Sequence, residues 1–332
     1  MSVVDPHDRR EGGQDTLRPT SLGGHAEPAG TEIDHEIEAV LPGMTEGYEP
    51  PVRTQWQLFR RRFFRHKLAV LGLLVLVLLY VAVFSADLWV PQDPRAQDVL
   101  TGTTPPSAAN WFGTDQLGRD YFAQTIYAGQ ISLKIGVGVA LISTVIGTIM
   151  GSLAGYFGRW IDQLLMRVTD LFLIVPAIAV LAIALKKFGT ADTVIIAVLA
   201  SLFWMQISRV VRGQVLAVKE KEFVDAARAA GASSFRIITR HLLPNCIGPI
   251  VVNATLAVAF AIVAESTLSF LGFGVQKPQT SWGNLLLDAK GNVQFDTHLL
   301  YFPGLFILLT VLCINFVGDG LRDALDPQSG RD

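Results

Sequence analysis

Apolar residues along this chain come in long unbroken runs, not in the alternating or three-to-four spacing of a soluble fold. Six runs stand out, at residues 68–86, 135–158, 171–185, 193–208, 242–264 and 299–318. A helix needs about 20 apolar residues to cross the hydrocarbon core of a bilayer, and in lipid a helix satisfies every backbone polar group within itself. The runs therefore predict an all-α, polytopic membrane protein with six transmembrane helices. The third and fourth runs are short, so their helices are expected to extend past the flanking charges toward Met166 and Val211. Pro176 interrupts the third run and Pro249 starts the fifth; a helix-interior proline removes a backbone bond and kinks the span.

Charge gives the runs a direction. Cytoplasmic loops of membrane proteins are rich in Lys and Arg. With the N-terminus inside, seventeen basic residues from Arg53 onward fall on the inner side and seven on the outer side. Both termini are thus expected in the cytoplasm. Composition agrees with the membrane class: half of the 332 residues are hydrophobic and 17% are charged, against about a quarter in soluble domains. A net charge of −2 gives no reason to expect a nucleic-acid partner. Cys246 and Cys313 have no close Cys or His neighbour at ligand spacing, so they read as packing residues and no metal site is expected. The first long apolar run is too long for a signal-peptide core and reads as an uncleaved anchor.

Four segments follow from this map. Residues 1–56 form an acidic cytoplasmic tail expected to be disordered; its first fifty residues carry eleven acidic and three basic side chains, five prolines and seven glycines, too little apolar surface to offset the ordering entropy. Ile33, Ile37, Val40 and Leu41 within it are spaced for one short amphipathic turn. Residues 57–130 hold the first span and an outer loop, 131–320 a five-helix core, and 321–332 a short cytoplasmic C-terminal tail.

The loop 213–245 is the most informative stretch. Residues 222–230 are dense in helix formers, Gly231 ends that helix as a C-terminal glycine does, and a second helical run over 234–243 is expected to stop at Pro244. Alanines 226, 227, 229 and 230 are too small to anchor in lipid and leave room for another backbone. Glu222, Asp225, Ala226, Ala227, Gly231, Leu243 and Pro244 are the candidate coupling residues. The pattern Asp225-Ala226-Ala227, then Gly231, then Leu243-Pro244 resembles the EAA loop of bacterial ABC importer permeases, with Asp225 where the pattern has Glu and His241 where it prefers Ile. The resemblance implies a coupling helix that docks on a nucleotide-binding subunit.

A second stretch, GTDQLGRD at 113–120, looks like the corresponding segment of the dipeptide, oligopeptide and nickel importer permeases, in their C-type member. LSFLGFG at 268–274 and NFVGDGLRDALDP at 315–327 are similar to the same subfamily, and the likeness covers about residues 57–327. It implies the MetI-like, type I ABC importer permease fold, a bacterial inner-membrane location and transport of di- or oligopeptides. The partners it implies are a second homologous permease, two ATP-binding subunits that carry ATP and Mg, and an extracytoplasmic binding protein, with lipid around the whole. Nickel or another small solute is the alternative cargo. An ion-coupled secondary transporter is a more distant one, since it would need carboxylates near the midplane.

The remaining candidates are polar or small residues in or near the spans. Asp115, Gly118, Arg119 and Asp120 sit at helical spacing before span two and read as an outer collar for the binding protein or as a solvated cap. Gly147, Gly151 and Gly155 form a double small-xxx-small repeat, which reads as intra-bundle packing, with a channel-lining or partner-facing role as the alternative. Asn253 and Glu265 are candidate channel residues; Glu265 has no evident partner within a helical turn. Arg167 and Asp170 are spaced to neutralise each other. The chain has no catalytic constellation: no lysine precedes Ser or Thr, so no phosphate-binding P-loop can form, and neither HExxH nor GxSxG occurs. No cofactor is expected in this chain.

Overall fold

The structure, a computed structural model, describes residues 55–174, 176–292 and 294–325. Residues 1–54 of the acidic tail, with its amphipathic turn, and 326–332 of the C-terminal tail lie outside the described residues, while 55–56 and 321–325 are helical. The described chain is all helical: α1 (Gln55–Arg65), α2 (Lys67–Phe84), α3 (Ala86–Trp89), α4 (Tyr121–Phe157), α5 (Arg159–Ile174), α6 (Ala177–Phe188), α7 (Asp192–Val218), α8 (Glu222–Ala229), α9 (Ser234–Phe270), α10 (Trp282–Ala289) and α11 (His298–Leu325). The division expected at 130–131 falls inside α4.

Among the described residues, five helices are long and apolar enough to cross a membrane: α2, α4, α7, α9 and α11. The third expected span is different. Its run is divided into α5 and α6, with Pro176 capping the start of α6. Proline has no N–H to give to the turn before it, so the run does not continue as one helix. Four of the other five spans outgrow their apolar runs, and α2 stops two residues short of the end of its run. α4 starts fourteen residues before 135, because residues 121–134 are helical yet carry Gln124, Gln130 and Lys134.

The second helical run of the 213–245 loop does not stop at Pro244, contrary to expectation. It passes through Ser234–Ile237, a π-helical turn over Ile238–Leu242, and on into Leu243–Phe270. In an ordinary α-helix the Pro244 ring would collide with the carbonyl one turn back. The wider π turn, with its i→i+5 bonding, lies where that collision would fall. Pro249 likewise sits inside the helix.

Helices α4, α7, α9 and α11 form the centre, with α2 packed outside α11. The α4–α7 contact is the closest, and glycine is the reason. A Cβ on Gly147, Gly151 or Gly155 would lie 2.8 Å from the Trp204 carbonyl, 2.5 Å from that of Ser208 and 3.0 Å from that of Arg212. This face of α4 is thus buried against α7 of the same chain. Away from these seams the spans expose Leu71, Leu74, Val81, Leu141, Val145, Leu305 and Leu308, the outward apolar surface that a lipid solvent requires.

Candidate functional site

The hairpin α8–Gly231–α9 is built in steps that the sequence dictates. α8 carries Glu222 and Asp225 in its first turn, where negative charge suits the helix dipole. It ends in a full Schellman motif: the Gly231 N–H donates to the Arg228 carbonyl at 2.9 Å and the Ala232 N–H to that of Ala227 at 3.0 Å, with Gly231 at φ +79°. That conformation favours glycine. Ser233 then caps the second helix, its hydroxyl accepting from the Arg236 N–H at 3.4 Å.

One face of the hairpin is folded inward. Val224, Ile237 and Leu242 are buried with Val211 and Val215 of α7, and the Lys219 ammonium donates to the Gly155 carbonyl at 3.1 Å. Arg228 lies over the Tyr156 ring at 6.0 Å. The opposite face is open. Glu222, Phe223, Asp225, Ala226, Ala229, Ala230 and Gly231 are exposed, and Phe235 is 77% exposed. Asp225 makes only an ion pair with Arg228 one turn on, at 2.8 Å. Ala227 and Leu243 are half-buried and Pro244 is exposed.

Asp115, Gly118, Arg119 and Asp120 do come together, but not in a helix as their spacing predicted. They form a tight loop closed by a bridge between Thr114 and Asp120, with Gly118 at φ +67° pressed against the Asp98 carbonyl. Asp115 is turned inward. It accepts from the backbone N–H groups of Leu117 (2.9 Å) and Arg119 (3.0 Å), the Arg119 guanidinium (2.7 Å) and the Gln124 amide (3.0 Å). Burial disfavours its charge, but these donors, Arg119 foremost, outweigh it and hold the carboxyl below the usual carboxylate range. Asp120 caps α4, accepting from the Ala123 N–H at 2.7 Å; there burial outweighs the backbone bonds and raises the carboxyl above its ordinary value. The loop orders the start of α4, and its carboxylates accept from donors of the loop and of the first turn of α4.

Glu265 is fully buried, and it does have partners. Oε1 accepts from the Ser269 hydroxyl at 2.7 Å, and Oε2 from Ser132 of α4 at 3.1 Å and from Ser266 at 3.4 Å; Ser281 is a fourth hydroxyl neighbour. The Ser132 oxygen also accepts from the Trp282 N–H at 3.2 Å, and the Trp282 indole donates to the Thr125 carbonyl at 2.9 Å. One carboxylate thus joins α4, α9 and α10. The partners are serines and not charges, one of them a helical turn away at i+4, and serine spacing alone does not mark a carboxylate's partner in a sequence. The Asn253 amide, half-buried on the same helix, donates to the Pro249 carbonyl at 2.8 Å.

Asp170 does not pair with Arg167. It pairs with Arg209 of α7, and Asp162 pairs with Arg212, so two carboxylates of α5 face two guanidiniums of α7. A groove of about 620 Å³ lies beside them, lined in part by Trp160, Met166 and Arg167. The signal was present in the sequence as two acids on α5 and two arginines on α7; which partner each chose depends on the packing of the two helices.

Long helices in a close-packed bundle, an open hairpin at one end and a sealed polar node toward the other define a polytopic membrane protein of the transport class. Residues 147–331 match the family described as binding-protein-dependent transport system inner membrane component, and residues 54–106 match the N-terminal TM domain of oligopeptide transport permease C. The chain belongs to this family, and it is a multi-pass inner-membrane, non-catalytic subunit of such a system. It is 43% identical over 273 residues to the dipeptide transport system permease protein DppC of Bacillus subtilis, covering 82% of this chain and 85% of that one. It is 40% identical over 278 residues to the oligopeptide transport system permease protein OppC of Haemophilus influenzae, covering 83% and 89%. Among solved structures it resembles the inward-facing MetNI methionine ABC transporter, with 19% identity and a TM-score of 0.51 over 62% of this chain and 97% of that one. That likeness gives the MetI-like fold.

Proposed function

We propose that this chain forms half of the pathway of an ATP-driven importer of di- or oligopeptides and works by alternating access. The cargo follows the relatives named above, whose names specify dipeptides and oligopeptides; no observation favours nickel. Family membership sets aside an ion-coupled secondary transporter. In this reading α5 and α6 together make a third crossing, broken at Pro176, giving six in all, and both termini lie in the cytoplasm. A second homologous permease completes the pathway. Two ATP-binding subunits, which carry ATP and Mg, sit below, and an extracytoplasmic binding protein delivers the cargo.

The observation that carries the proposal is the hairpin. Its inner face is locked by Val224, Ile237 and Leu242, while Phe223, Ala226 and Phe235 stand exposed. An apolar patch held rigid at the end of a bundle is suited to transmit force from a docked partner. Closure of the ATP-bound subunits moves the hairpin, the spans rock, and cargo enters between the two permeases. The test is Phe235→Asp and Ala227→Arg in the reconstituted transporter with its binding protein. Both are expected to cut peptide uptake at least tenfold while the permease still inserts and the ATPase subunits hydrolyse ATP alone at the normal rate. Wild-type uptake in both would refute the coupling role.

A further inference from the structure

The helix that precedes the first long span has no task in the coupling scheme. α1 reads QWQLFRRRFFR and contains no acidic residue. It is set off from α2 by one extended residue, His66 (φ −82°, ψ 90°), whose imidazole caps α2 by accepting from the Ala69 N–H at 3.1 Å. The break turns α1 off the axis of α2. One side of α1 is packed: Phe63 is buried with Ala69 and Ala324, and Phe59 and Leu321 lie against them. Because Leu325 of α11 also touches Gly248 of α9, α1 sits at the hairpin end of the bundle.

The rest of the α1 surface is divided. Trp56 and Phe64 are 69% and 62% exposed, and they fall on one sector at helical spacing, two turns apart. Arg60 lies in that sector between them, and Arg61 and Arg65 border it; all three arginines are exposed, as is Lys67 just beyond. Trp and Arg together favour the boundary between acyl chains and headgroups: the rings lie at headgroup depth and the guanidiniums reach the polar layer. A helix whose exposed surface interleaves aromatics with arginines, and continues in arginines beyond them, lies in that plane. A solvated helix would leave two large aromatic side chains in water.

We propose that α1 is a lipid-binding element, lying in the membrane surface with Trp56 and Phe64 in the acyl boundary and Arg60, Arg61 and Arg65 on the phosphates of anionic phospholipids. Which leaflet it meets follows from the orientation proposed above; the headgroup chemistry does not. Anionic headgroups are favoured over zwitterionic ones by charge complementarity, since α1 offers positive charge alone. Each basic residue at an anionic surface strengthens attachment by about fivefold. Because α1 is packed on the C-terminal end of α11, the bound lipid also fixes that end of the bundle.

The test uses the assembled transporter, reconstituted in mixed phosphatidylglycerol and phosphatidylcholine, then released gently and weighed by native mass spectrometry. Wild type should retain phosphatidylglycerol preferentially. The Arg60→Gln/Arg61→Gln/Arg65→Gln variant should lose that preference by at least tenfold, and Arg60→Lys/Arg61→Lys/Arg65→Lys should keep most of it. Without any substitution, raising salt from about 0.1 M to about 1 M shortens the Debye length from about 10 Å to about 3 Å and should strip the retained phosphatidylglycerol from wild type. Retention that ignores both salt and the Gln substitutions overturns the proposal. So does a Gln variant that keeps its phosphatidylglycerol but sheds its ATP-binding subunits, which would make α1 a protein contact. Neither result depends on peptide transport, so failure here leaves the coupling role of the hairpin standing, and the reverse.

Discussion

Gly151 offers the sharpest test of how the bundle is held. Adding one methyl group there places a carbon 2.5 Å from the Ser208 carbonyl oxygen, 2.8 Å from the Val211 Cβ and 3.0 Å from the Arg212 nitrogen. Ordinary close C···O contacts are about 3.3 Å or longer, so α7 must retreat by about 0.8 Å. Two of the three obstacles are backbone atoms, and no rotamer change relieves them. A gap of that size forfeits about a quarter to a half of each dispersion contact along the seam. Overpacking of this kind costs about 1–3 kcal/mol, or a Tm lowered by roughly 2–10 °C at this chain size. The matched control is Gly213→Ala in the same pair of helices. Gly213 is exposed on α7 with nothing near its missing Cβ, so alanine there should stabilise by about 0.5–1 kcal/mol through helix propensity alone. Thermal unfolding of the purified permease in a mild detergent reads both. Equal shifts for the two variants, or none for Gly151→Ala, would refute the claim that glycine sets the α4–α7 distance.

Three further outcomes follow from the geometry. Gly231→Ala meets no neighbour within 4 Å, so its cost is the left-handed backbone alone, about 1–2 kcal/mol; it should loosen the hairpin and lower peptide uptake several-fold with insertion unchanged, as measured in proteoliposomes. Asp115 has its carboxyl held below the ordinary value of 3.8, so its contribution is fully present above that value and is lost as pH falls through the depressed folded value. Asp115→Asn should lower Tm near neutral pH, and the gap to wild type should narrow as the pH falls below 3.8 in a pH series of melts. Glu265→Leu strands buried serine hydroxyls, each costing about 1–3 kcal/mol, and should markedly lower Tm; Glu265→Gln keeps the shape and one acceptor oxygen, and should transport peptide at near wild-type rates. A large uptake defect in the stable Gln variant would return Glu265 to the channel.

Much of the bundle was legible because lipid imposes one rule on a long apolar run: it must be a helix. Four of the five long helices that follow the rule extend well beyond their runs, since hydropathy marks what lies in hydrocarbon and not where hydrogen bonding ends. The hairpin was legible through Gly231, because a left-handed position needs glycine whatever surrounds it. Continuity through Pro244 was not, because it depends on a π turn, and nothing local distinguishes Ile238–Leu242 from an ordinary helix. The Asp115 loop was misread as helical because an i,i+4 pair suits a helix and a tight turn alike. Partner choice was least legible. Asp170 had Arg167 close in sequence and took Arg209 instead, and Glu265 took hydroxyls from Ser132, 133 residues away, a pairing that only the packing of α4 on α9 creates.

These pieces meet in α9. It begins in the exposed hairpin at Ser234 and ends at Phe270 beside the Glu265 node, 37 residues in all, a rod of about 55 Å. All its irregularities, the π turn at Ile238–Leu242 and the prolines at 244 and 249, fall in the half nearest the hairpin. Beyond Ile250 it contains no proline and is tightly packed: a Cβ on Gly136 of α4 would meet the Ile262 side chain at 2.6 Å, and one on Gly283 of α10 the Ser266 carbonyl at 2.5 Å. The Glu265 bonds fasten that end to α4 and α10, so these three elements move together. On the coupling role proposed above, a push delivered at Phe235 meets the proline-bearing segment packed by Ile237 and Leu242 first and the segment fastened at Glu265 afterwards. On the same proposal, a displacement of the hairpin is carried to α4 and α10 through the Glu265 bonds.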